Sequence, residues 1–182
     1  MLRIEIPKRD GWDEVREEFV EFKGGTLQLE HSLVSMSKWE SIWHKPFLDK
    51  FEKRTQEEFL SYVQCMNMTQ NVDPEIFSFL TPENYKQITD YIQNPMTATT
   101  FREDPNKHGR SMGGGNIITS ESLYYMMIDA GVPWECQKWH LNRLMTLLKI
   151  CAVKRQEENK KMPKNEQMSR FSAAKAASRM RK

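Results

Sequence analysis

Thr26-Leu27-Gln28-Leu29-Glu30-His31-Ser32-Leu33-Val34-Ser35-Met36-Ser37-Lys38-Trp39-Glu40 is where this chain changes from strand to helix. Thr26, Leu27 and Leu29 continue a run opened by Phe19, Val20 and Phe22, and Lys23-Gly24-Gly25 stands between them. Glycines accept the positive φ of a hairpin turn, so residues 17–22 and 26–31 are expected to pair antiparallel. Leu2, Ile4 and Ile6 alternate with charged residues and read as a further strand. Beyond Leu33 the signals are helical: Ser37-Lys38-Trp39-Glu40 has the form of a capping box, a hydroxyl and a carboxylate three residues apart. That helix should stop near Lys45, because Pro46 disfavours helical geometry in the residue before it.

Thr55-Gln56-Glu57-Glu58 repeats the capping pattern ahead of Phe59, Leu60, Tyr62, Val63 and Met66. Thr81-Pro82 offers a cap and a first-turn proline ahead of Tyr85, Ile88, Tyr91 and Ile92, with Asn94 ending the period. Residues 94–116, with Pro95, Pro105, Gly109 and Gly113-Gly114-Gly115, keep no period and are expected to be disordered in the isolated protein. Helix resumes at Thr119 or Ser120 and ends at Gly131. The longest helix is expected from about Pro133 to Lys154. Its polar stripe of Glu135, Lys138, Asn142 and Lys149 is narrow, so it needs cover on more than one side, as a central core helix or as one shared between core and subunit interface.

The fold class that follows is α+β and mainly α: a small N-terminal antiparallel β element, then a helical domain over residues 1–155, then a basic flexible tail over 156–182 that orders as helix when bound. A chain of 182 residues with 38% apolar content supports one such core. Charge divides at the same place. Residues 153–182 hold ten Lys/Arg against three Asp/Glu, and residues 1–152 hold 17 against 22. Mean hydropathy is −0.72, no stretch approaches the roughly 20 apolar residues that cross a bilayer, and no signal-peptide run opens the chain. A cytoplasmic protein is expected. Cys65, Cys136 and Cys151 form no CxxC pair, which suits a reducing compartment.

Chemistry-bearing patterns are sparse. Cys136 and His140 stand four apart on the expected long helix and would supply two zinc ligands or a nucleophile and base, but no further paired ligand and no nucleophile signature accompany them. Gly113-Gly114-Gly115 lacks the form of a phosphate loop and reads as a hinge. Glu17-Glu18 and Glu57-Glu58 are adjacent, so their side chains diverge on solvated faces. No catalytic residue, metal or cofactor is nominated. Trp39, Trp43 and Trp139 are nominated for partner binding because tryptophan is enriched in hot spots, with core filling as the competing reading. Arg179, Arg181 and Lys182 are nominated from charge. They would attract an acidic protein surface or a nucleic acid, the latter with few aromatics to stack on bases.

Two blocks carry a family resemblance. Thr26 through Ser41, followed by Trp43 to Leu48, resembles a stretch in small proteins from the tail-gene region of long-tailed bacteriophages. Ile118-Thr119-Ser120-Glu121 through Tyr124-Tyr125-Met126-Met127, then Pro133 to Leu144, resembles a second. Those proteins are similar to tail assembly chaperones, which coat the tape-measure protein in the infected cell and are displaced as tail-tube subunits polymerise around it. The resemblance implies a non-enzymatic, self-associating protein of the host cytoplasm, absent from the mature virion, with the tape-measure and tail-tube proteins as partners. A frameshifted longer product also occurs in that class. The alternative is a virion structural or nucleic-acid-associated phage protein whose basic tail neutralises phosphate.

Overall fold

The strand ending at Leu29 finds its partner at the start of the chain. In the computed structural model, which describes residues 1–13, 18–49, 54–101 and 117–161, β1 (Leu2–Ile6) pairs antiparallel with β4 (Gly25–Leu29), and β2 (Arg9–Asp13) with β3 (Glu18–Phe22). Leu2 faces Leu29, Ile6 faces Gly25, Arg9 faces Phe22 and Asp13 faces Glu18. The register is therefore unbroken through both ladders, as in one long ribbon interrupted at Pro7-Lys8 and Lys23-Gly24. Pro7 has no N–H to give to a ladder. The expected hairpin between 17–22 and 26–31 is corrected: those segments follow one another along the same arm. Gly24 does adopt a positive φ of 74°, but to pass against the opposite arm, where a Cβ would lie 2.8 Å from the Ile6 carbonyl oxygen. Alternation then buries Ile4, Ile6, Leu27 and Leu29 on one face.

Helix α1 (Leu33–Trp43) starts earlier than Ser37 suggests. Ser32 is the cap: its hydroxyl accepts from the Ser35 N–H, and the Ser35 hydroxyl accepts from the Ser32 N–H at 2.8 Å. A serine at the third helical position thus fills the place usually held by Glu or Gln. His44, left-handed at φ 52°, ends the helix just before the expected Lys45. Helices α2 (Gln56–Met66), α3 (Pro82–Gln93) and α4 (Ser120–Ala130) begin at Thr55, Thr81 and Thr119, each with a reciprocal capping box, and α3 and α4 end at Asn94 and Gly131. A 3-10 turn, Pro74–Phe79, precedes α3.

The expected helix from Pro133 to Lys154 is interrupted. Trp134–Lys138 forms a 3-10 turn, Trp139 and His140 are non-helical, and α5 runs over Leu141–Lys161. The break has a tertiary cause. His140 bridges to Ser32, and the Leu141 N–H donates to the His31 carbonyl at 2.7 Å, so the chain is drawn onto the strand-to-helix junction before helix resumes. α5 also continues past residue 155, where a linker was expected. Of the segment 94–116 expected to be disordered, residues 102–116 lie outside the described residues, as does the part of the basic tail, residues 162–182, expected to order only when bound. Residues 94–101 have no regular structure.

The fold is mainly helical with a small antiparallel β element at its start. Leu27, Leu29, Leu33, Met36, Trp39, Tyr62, Val63, Met66, Ile88, Leu123, Met127, Leu141 and Leu144 form its buried centre. Each such side chain contributes about 1.5–3 kcal/mol from apolar burial. Among the described residues, no helix is long and apolar enough to cross a membrane.

Candidate interaction site

A carboxylate and two histidines hold the helices around the strand-to-helix junction. Glu40, on α1, accepts from the Phe47 N–H and, with its other oxygen, from the Ser120 N–H at the start of α4, both at 2.7 Å. A negative charge at a helix N-terminus is favourable there, so Glu40 ties three segments together. His31 hydrogen-bonds the Tyr62 hydroxyl through Nδ1, and its ring lies edge-on to His140 at 4.9 Å. Burial, with the adjacent His140 ring and the Arg54 guanidinium opposing a second positive charge, pulls His31 down to about 3. His140 is lowered as well, mainly by burial. Its Nε2–H donates to the Tyr91 carbonyl at 3.0 Å, and its Nδ1 accepts from the Asn142 N–H at 3.3 Å. Both imidazoles are neutral, and His140 serves as the cap of α5.

That arrangement disposes of the Cys136–His140 pairing. The two residues do not share a helix, both His140 nitrogens are engaged elsewhere, and burial raises the Cys136 thiol above its ordinary value. Cys65, Cys136 and Cys151 are free thiols. Among the described residues, no three His, Cys, Asp or Glu side chains are grouped as a metal ion would require.

The nominated tryptophans separate. Trp39 is 1% exposed, donates its indole N–H to the Glu58 carbonyl at 2.9 Å, and meets Phe47 edge-on. The Arg54 guanidinium lies 4.7 Å from its ring. Trp39 is thus a core residue, which corrects its nomination as a contact: its ring offers no surface to a partner. Trp43 is half-buried, stacks near Trp39, and donates to the Ser61 hydroxyl at 2.9 Å. Trp139 is half-buried with the Arg143 guanidinium 4.4 Å above its ring, and it walls a cleft of 290 Å³. Arg179, Arg181 and Lys182 lie outside the described residues.

The open aromatic surface is elsewhere, on α4 and the turn that follows it. Tyr125 and Ile128 are each 69% exposed and Trp134 is 53% exposed. Tyr124 stacks on Trp134 at 5.2 Å and donates its hydroxyl to Gln137 at 3.1 Å, which fixes the turn against the helix. Tyr124 and Ile128 are four apart on α4, and Tyr125 and Ile128 three apart, so the apolar groups adjoin. Gly131, left-handed at φ 64°, closes α4 while the Val132 N–H returns to the Met127 carbonyl, and this sets Trp134 back over the helix end. These contacts were missed in the sequence because Ile128 matches the core period and Trp134 falls inside an apparent long helix. The adjacent run Leu123-Tyr124-Tyr125-Met126-Met127-Ile128 was the available signal, since six apolar or aromatic positions in a row cannot all face one core.

No family model, curated protein or solved structure matches this chain.

Proposed function

We propose that this protein is a non-catalytic assembly chaperone that binds an apolar helical client, the tape-measure protein of a long-tailed phage, and helps recruit tail-tube subunits through its basic C-terminal segment. The observation that supports the client half is the exposed surface formed by Tyr125 and Ile128 on the capped helix α4 and by Trp134 on the turn that follows it. Exposed aromatics fixed by a neighbouring ring lose little side-chain entropy on binding, and a helical client presents the complementary apolar stripe. The charge contrast between residues 1–152 and 153–182 supports two separate partners.

The test is co-expression with the tape-measure protein, followed by affinity purification of the wild type and of a Trp134→Ala, Ile128→Ser double variant. Co-purification of the wild type and its loss in the double variant is the expected result. Equal recovery of both overturns the surface assignment, and no recovery of either overturns the client. Quantitative mass spectrometry of lysate and virions decides against the remaining reading: abundance in lysate and absence from virions is expected, whereas stoichiometric retention indicates a structural component.

A further inference from the structure

The cleft beside Trp139 has a charge that its surroundings do not explain. Glu30, Tyr91, Lys138, Trp139, His140 and Arg143 line it, with a volume of 290 Å³. Its one carboxylate is already engaged: Glu30 accepts from the Met1 ammonium at 2.8 Å and from the Tyr91 hydroxyl at 2.7 Å. His140 is neutral, with both ring nitrogens bonded. Lys138 and Arg143 are exposed, and neither has a carboxylate partner among the described residues. Arg143 also stands in the first turn of α5, where the positive end of the helix dipole disfavours a cation. Two unneutralised cations and a helix N-terminus thus converge on one concavity in a part of the chain where acids outnumber bases.

We propose that this cleft binds an acidic segment of a partner protein, with Arg143 and Lys138 taking its carboxylates and the Trp139 indole taking an adjoining apolar side chain. Arg143 is held by its stack on Trp139, so its planar fork is oriented before a carboxylate arrives. A peptide carboxylate placed here also removes the conflict between Arg143 and the helix end. A peptide suits the cleft better than a nucleic acid, because the phosphate track of a polyanion needs a longer basic groove than two side chains supply. The site is separate from the aromatic surface on α4 and does not depend on the tape-measure reading.

Fluorescence anisotropy on the full chain tests it, using a labelled peptide with an Asp-Asp-Leu-Phe core and the same peptide with Lys in place of Asp. The acidic peptide is expected to bind, more weakly as salt rises, and the Lys138→Glu, Arg143→Glu double variant to lose about tenfold or more in affinity. Trp139→Leu should weaken binding while leaving the salt dependence intact, and Trp134→Ala should leave affinity unchanged. The proposal is overturned if the double variant, folded by circular dichroism, binds as the wild type does, or if the lysine peptide binds equally well. It is overturned too if no binding of the acidic peptide is seen, or if binding is lost only when residues 162–182 are removed.

Discussion

Trp39 and Trp134 show two ways of using the same side chain. Around Trp39 every direction is occupied: Phe47 meets it edge-on, Trp43 stacks beside it, Arg54 covers it and the Glu58 carbonyl takes its N–H. Around Trp134 one face is held by Tyr124 and the rest is open. The first arrangement stabilises the fold. The second holds a ring in place without covering it, so a partner as proposed would meet a side chain that has already lost much of its freedom. Residue type and helical spacing are common to both regions, so what separates them is whether a second element arrives to cover the ring.

Trp39→Ala gives the largest expected effect, a loss of about 3–5 kcal/mol in urea unfolding, because a cavity remains and the indole bond to the Glu58 carbonyl is lost. His31 comes next and supplies a pH signature. It is held near 3 in the folded chain against about 6.5 unfolded. Above the unfolded value it is neutral in both states. As pH falls below it, only the unfolded chain takes up the proton, and stability declines by up to about 1.4 kcal/mol per unit until the folded value is approached. Urea midpoints between pH 7 and 5.5, above the carboxylate range, should fall in the wild type and fall less steeply in His31→Gln, where the lowered His140 still contributes. Thr55→Ala should cost about 1 kcal/mol by removing the α2 cap, read from the same unfolding curves. Trp134→Ala should stay within about 0.5 kcal/mol of wild type while abolishing client co-purification. A large stability loss from Trp134→Ala, or a small one from Trp39→Ala, would erase the distinction between the two regions.

Local chemistry was read correctly where it is self-contained. Thr55, Thr81 and Thr119 each satisfy a free backbone donor within four residues, so the three helix starts needed nothing from the rest of the fold. Ser37 failed because Ser32 and Ser35 form the same reciprocal bond one turn earlier, with a hydroxyl doing what a carboxylate was expected to do. The strand partner of Leu27 and Leu29 lies more than twenty residues away, and Gly24 carries the same positive φ in either topology, so the turn signal could not choose. The break at Trp139-His140 depends on His31 and Ser32, more than a hundred residues upstream, and leaves no trace in local periodicity. The same gap hid the candidate surface. Trp134 looks like a core position until the helix it belonged to is seen to stop.

Helix α5 is longer than the body that it packs against. Residues 152–158 are all exposed, but Arg155 is still tied to the Asp129 carboxylate and carbonyl at the end of α4, so the helix projects only beyond that bond. At about 1.5 Å per residue, the six residues from Gln156 to Lys161 carry the chain roughly 9 Å beyond it. If the basic segment recruits a partner as proposed, that projecting stub of helix sets where the segment starts.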